Sequence, residues 1–228
     1  MTLWATIFVA ALLPLASLAW RGHQGTLGAN PIETLTRETG LWTLRLLLTT
    51  LAVTPLRRLL SWNGIIRVRR MLGLFAFFYA SLHYLTYLWL DQFFSLGDMI
   101  ADIGRRPFIT VGFAAFILLV PLAATSTAKM MRLLGGRRWR MLHRLSYAAA
   151  VLGVFHYWWL VKADIRPPLA YAVALSALLG FRVTWRARQA ALSRAKARHG
   201  VGGLRWKAPT EQMKPTAAST RSPGSQLR

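Results

Sequence analysis

The fold class this sequence predicts is all-α: a polytopic membrane bundle of six transmembrane helices with both termini in the cytoplasm. Three observations predict it. Apolar runs of about 18 residues or more recur, the length that crosses ~30 Å of hydrocarbon at ~1.5 Å per residue. Hydrophobic residues make up 54% of the 228, with ten tryptophans, against only 16% charged. The charge that exists gathers in short basic blocks between the apolar runs, as the positive-inside rule requires.

The spans read as roughly Leu3–Trp20, Leu41–Leu60, Met71–Leu90, Pro107–Thr125, Trp139–Val161 and Pro168–Trp185. The first competes with a cleaved signal peptide, since Ser17-Leu18-Ala19 resembles a cleavage site. Met1-Thr2 supplies no positive side chain and the apolar core is long for a signal, so a retained helix is the expectation. The loop after it sets Arg21 and Arg37 against Glu33 and Glu38. The second loop carries Arg57, Arg58, Arg67, Arg69 and Arg70 with no acid. The third sets Asp91, Asp98 and Asp102 against Arg105 and Arg106, and its 96–104 stretch has weak helical spacing suited to an interface. The fourth again is purely basic, with Lys129, Arg132, Arg137, Arg138 and Arg140. The short fifth loop holds Lys162, Asp164 and Arg166. Loops two and four and the C-terminal segment are therefore cytoplasmic, and loops one, three and five face outward. Residues 1–188 form the transmembrane domain and 189–228 a basic tail, disordered by its composition.

Two function classes fall away. A net charge of +22 would suit nucleic acid if it covered a soluble surface. Confined to loops, it marks a partner that is membrane lipid, with no nucleic acid. The chain has no cysteine, which excludes disulfides, thiolate metal sites and iron–sulfur clusters. No P-loop, dinucleotide fingerprint or internal repeat stands out, and the tail is too short for a flavin or nicotinamide domain.

Ionisable groups inside spans are costly and so mark function. His83 lies on the third helix, His143 and His156 on the fifth; His23 at the interface and His199 in the tail are expected to be solvated. His83 sits ~10 Å and His156 ~8 Å from the outward ends of their helices. Two histidines at matched depth on different helices suit the axial positions of one haem iron. Tyr79, Tyr84, Tyr87, Phe155, Tyr157 and Trp158 are available to wall it. Hydrogen bonding between helices, or proton relay in a transporter, accounts for the same spacing equally well. His143 lies ~20 Å further along, rotated ~140° from His156 on an ideal helix, which places it at the inner face as a separate site unless the helix bends, with Gly153 as the candidate bend. The third-helix positions opposite it are Arg69 and Arg70, which with Arg144 suit the neutralisation of haem propionates or of a flavin or quinone head group, although positive-inside anchoring is the simpler account of the cluster.

The ordered pattern of short segments resembles the MsrQ family, in the ferric-reductase-like transmembrane group. It runs through Gly28-Ala29-Asn30-Pro31-Ile32-Glu33, Thr39-Gly40, Thr54-Pro55-Leu56, Arg69-Arg70-Met71-Leu72-Gly73-Leu74 and Ser81-Leu82-His83. It continues with Arg106-Pro107-Phe108-Ile109-Thr110, Thr125-Ser126-Thr127, Leu134-Gly135, Trp139 to Tyr147 and His156-Tyr157, so that about residues 20–188 are covered. The resemblance implies a bacterial inner-membrane, multi-pass b-type cytochrome with heme b held by His83, His143 and His156. It implies electrons drawn from the quinone pool or a cytosolic flavin reductase and passed to MsrP, a periplasmic molybdopterin reductase of methionine sulfoxide in proteins. FMN is also attributed to the family, at a site this sequence does not locate. The larger group carries two histidines on each of two helices, whereas the third helix here has one. The chain itself is thus expected to be a non-catalytic electron-transfer subunit. The alternatives are a ferric- or oxygen-reductase core and a proton-coupled transporter.

Overall fold

The computed structural model describes residues 2–91 and 93–201, and every regular element among them is helical. Two units divide the chain, residues 1–185 and 186–228. The first holds the bundle; of the second, the described part is helical and exposed. The expected tail therefore falls partly within a helix, to Val201, and otherwise outside the described residues. The side chains of Asp91, Asp98 and His199 also lie outside them.

Five helices are long and apolar enough to cross a membrane, and a shorter apolar one completes six. In chain order the helices are α1 (Thr2–His23), α2 (Pro31–Leu59), α3 (Ile66–Thr86), α4 (Leu96–Arg105), α5 (Pro107–Ala124), α6 (Ala128–Leu142), α7 (Leu145–Leu160) and α8 (Arg166–Val201). The six expected spans correspond to α1, α2, α3, α5, α7 and α8. A π-helical turn, Tyr87–Asp91, extends α3.

Local chemistry explains the boundaries. α2 opens with Asn30, whose side chain accepts from Glu33 N at 3.2 Å while its amide reaches Glu33 Oε2 at 3.3 Å, and Pro31 takes the first helical position. The helix so begins ten residues ahead of the apolar run, because capping rather than hydropathy decides where it starts. Pro107 likewise opens α5.

The fifth span departs from expectation. A single helix from Trp139 is replaced by a break at His143 and Arg144, between α6 and α7. Gly153 lies inside an unbroken α7, so it is not the bend. The cause is polar. Trp139 Nε1 donates to Thr125 O at 2.9 Å and His143 Nε2 meets Thr125 Oγ1 at 3.2 Å, tying both residues to the end of α5. α7 is thereby reduced to 16 residues, about 24 Å of helix. Gly135, at φ 72°, makes a second break inside α6 with a conformation that glycine adopts freely.

Core contacts run chiefly between α2 and α3 and between α5 and α7. Ala76, Ala80, Ala149 and Ala150 are buried at these seams, where small side chains let helix backbones approach. Val9, Leu13, Phe78, Ile117, Val120 and Phe155 are exposed, the surface a bilayer covers. Both pairs are antiparallel: Thr36 meets His83 and Thr54 meets Arg69 at opposite ends of one, while Phe108 meets His156 and Thr125 meets His143 at opposite ends of the other.

At two prolines inside helices a neighbouring side chain bonds to the helix backbone. Pro14 opens α1, and Tyr79 of α3 enters the gap: its hydroxyl donates to Ala11 O at 2.8 Å and accepts from Leu15 N at 3.2 Å. Tyr79 is fully buried there, which makes α1 an integral part of the bundle. Pro55 of α2 has no N–H for Leu51 O, and Arg182 of α8 donates to that carbonyl instead.

Candidate functional site

His83 and His156 come together from α3 and α7, with ring centroids 6.1 Å apart and planes at 74°. Each imidazole is anchored through Nδ1 to a backbone carbonyl of a different helix. His83 Nδ1 lies 2.8 Å from Thr36 O on α2, and His156 Nδ1 lies 2.7 Å from Phe108 O on α5. A carbonyl oxygen only accepts, so Nδ1 carries the proton in both rings. Nε2 is then the bare nitrogen, the form in which imidazole binds a metal.

Both rings line a cavity of about 610 Å³. Its floor is apolar, with Leu44, Leu47 and Leu119, and Tyr84, Phe113 and Phe116 wall one side. Tyr84 stacks on Phe116 at 4.9 Å and donates to Met99 Sδ at 3.2 Å. Arg37 and Arg106 bring positive charge to the same cavity, Arg106 also pairing with Asp102 at 3.1 Å. Arg37, Leu41 and Tyr157 are shared with an adjoining cavity of about 430 Å³ that reaches Arg45 and Tyr171.

Of the aromatic residues expected as walls, Tyr84, Tyr87 and Tyr157 line the cavity. Tyr79 does not, because it is committed to α1, and Phe155 and Trp158 are exposed on the outside of α7. Those three are corrections to the sequence reading, which could not tell inward from lipid-facing rings on a helix apolar all round.

The donor set says what such a site can hold. A bare metal ion takes four or more protein ligands or waters. Among the described residues no group of three or more His, Cys, Asp or Glu comes together. Two imidazoles instead suit a metal carried in a flat ring that supplies its own equatorial nitrogens. A metal between two imidazoles stands ~2 Å from each nitrogen, placing ring centres ~6 Å apart. The observed spacing fits that group.

His143 belongs to a different environment at the opposite end of α7. Its ring stacks on Trp139 at 3.9 Å, and Arg69 is close enough for its charge to act on it. Arg69 Nη1 also donates to Thr54 Oγ1 at 3.4 Å. Arg70 and Arg144 are exposed. Neither cavity described above is lined by Arg69, Arg70 or Arg144.

Several residues of the site and of the bundle core escaped sequence reasoning. Arg45 and Arg182 are cations within spans; Arg45 lies over the Trp42 ring at 4.7 Å and donates to Tyr171 Oη at 3.1 Å. Their placement inside apolar runs was the available signal. The Thr36 and Phe108 carbonyls had none, because a backbone group carries no mark in the sequence.

Known proteins resemble this chain over most of its length. Residues 39–154, half of the chain, match the family described as ferric reductase like transmembrane component. A protein of Herminiimonas arsenicoxydans named protein-methionine-sulfoxide reductase heme-binding subunit MsrQ is 56% identical over 181 residues, covering 78% of this chain and 83% of its own length. Proteins of the same name from Ralstonia nicotianae and Xanthomonas campestris are 53% and 51% identical, covering 82% and 86% of this chain and 88% and 90% of theirs. The chain belongs to the MsrQ family. Within the region matched by the ferric-reductase-like family lie His83 and His143; His156 stands two residues beyond its edge at 154.

Proposed function

We propose that this MsrQ-family chain is the heme b subunit that carries electrons across the bacterial inner membrane to a periplasmic methionine-sulfoxide reductase, MsrP. The observation that carries the reading is the His83–His156 pair: two imidazoles in the Nε2-bare tautomer, spaced for one metal and facing a cavity of ligand size. Haem supplies one-electron chemistry when bound there. His83 and His156 would hold its iron. Arg37 and Arg106 would face its propionates, and Tyr84, Phe113 and Phe116 would exclude water from its ring. His143, stacked under Trp139 with Arg69 nearby, would serve a second carrier at the other face.

With carriers held at these two depths, the chain would take electrons from one partner and pass them to another. The quinone pool or a cytosolic flavin reductase is the donor in this reading.

The test is the absorbance spectrum of detergent-purified protein, oxidised and dithionite-reduced. Haem bands are expected, and His83→Ala and His156→Ala should each abolish the haem they share. Absence of bands from the wild type would end the reading, and normal haem content in both variants would refute the ligand assignment. Reduced protein should then be re-oxidised by MsrP carrying out sulfoxide reduction; failure of that reaction with intact haem would point to a ferric- or oxygen-reductase core.

A further inference from the structure

One local device holds both imidazoles. On α2, Thr36 O accepts from His83 Nδ1, and Gly40, one turn further along, leaves the space the ring fills. A Cβ at Gly40 would stand 3.0 Å from both Nδ1 and Cε1 of His83. On α5, Phe108 O accepts from His156 Nδ1, and a Cβ at Gly112 would stand 2.7 Å from Nδ1 and 2.8 Å from Cε1. Carbonyl and histidine are separated by 47 residues in one half and 48 in the other. Helix packing alone does not demand this. Gly73 and Gly153 are in the same bundle, and a Cβ there would meet only aliphatic carbons at 3.8 and 3.5 Å, ordinary contact distances.

The physical logic is the same in each half. A helix carbonyl already accepts from the N–H four residues on, so a second donor must approach it from the side. The residue one turn along occupies that side of the helix. Only with no Cβ there can an imidazole lie against the backbone and bring Nδ1–H to the carbonyl. The glycine thus sets how closely the ring approaches, and the carbonyl sets which nitrogen is bare.

We infer that Gly40 and Gly112 are positioning residues for the two axial imidazoles, and that with the Thr36 and Phe108 carbonyls they determine the coordination state and potential of the bound iron. This rests on the haem reading above. A donated Nδ1–H raises the basicity of the ligating nitrogen and so favours the oxidised metal. The α5–α7 half is the less tolerant, because its clearance is the smaller.

The full chain is purified as wild type, Gly40→Ala and Gly112→Ala. The wild type is expected to be six-coordinate and low-spin. Both variants should retain haem while showing a five-coordinate, high-spin fraction and a raised midpoint potential, more so for Gly112→Ala. A second series is independent of whether Gly112→Ala folds. His156→Gly is reconstituted with haem in the presence of imidazole, 4-methylimidazole or 1-methylimidazole. The first two keep an N–H for Phe108 O and should restore the six-coordinate spectrum. 1-Methylimidazole lacks it and should bind about tenfold more weakly, the effect of one buried hydrogen bond. Wild-type spectra and potentials in both glycine variants, or equal binding of 1-methylimidazole and imidazole, would overturn the inference. A wild type without haem bands would instead strike the underlying reading.

Discussion

Arg182 of α8 donates to the carbonyl of Leu51 on α2, the acceptor that Pro55 leaves without a helical partner. The guanidinium also lies over the ring of Tyr147 at 4.9 Å and donates to its hydroxyl, so one buried cation joins α2, α7 and α8. Arg182→Met removes the donor and strands the carbonyl in an apolar interior, at an expected cost of about 3 kcal/mol. In a Pro55→Ala background Leu51 O regains an N–H from position 55. The same substitution should then cost about 1 kcal/mol less, read as a double-mutant cycle on unfolding of the purified protein. Equal costs in both backgrounds would break the link drawn between Pro55 and Arg182.

Tyr79 also binds a helix beside its internal proline, one residue on from Ala10 O, the carbonyl that Pro14 deprives of an N–H. Its hydroxyl bridges Ala11 O and Leu15 N across the turn that Pro14 opens. Tyr79→Phe keeps the packed ring but removes both hydrogen bonds that the hydroxyl makes to α1, so a loss of about 1 kcal/mol in stability is expected. Unfolding midpoints measure it; an unchanged midpoint would show that α1 is not held this way.

His143→Ala should leave the His83–His156 pair and its six-coordinate spectrum intact, because His143 sits at the opposite end of α7 against Trp139 and Thr125. What it should alter is any second haem signal and the rate of reduction from the cytoplasmic side. Loss of the six-coordinate signal in this variant would contradict the separation of the two sites.

The orientation is open to direct labelling. With no native cysteine, single-cysteine variants need no prior substitutions. Thr26→Cys, in the first loop, should react with an impermeant maleimide added to spheroplasts, whereas Lys129→Cys, in the fourth, should react only after lysis. The reverse pattern would invert the bundle.

Much of this was legible in the residues themselves. Hydropathy and the placement of arginine named the spans, since the bilayer's thickness and the cost of unsatisfied backbone allow few other structures. The depth of His83 and of His156 followed from counting along two helices. Where reading failed, it failed on interactions between helices. Nothing in the stretch from Trp139 to Val161 announces a break at His143, because its cause is Thr125 on another helix. The cavity walls were half right, since rings on an all-apolar helix show no preferred face.

By itself, then, the sequence determined the class of the fold, its spans and the two histidines worth pairing, for these depend on one-dimensional quantities: length, charge and position along an axis. The tertiary structure alone decided that the two rings stand 6.1 Å apart with Nε2 bare. That outcome depends on the Thr36 and Phe108 carbonyls and on the room left by Gly40 and Gly112. A carbonyl is common to every residue and a glycine clearance is an absence of atoms, so neither acquires meaning until another helix is laid against it.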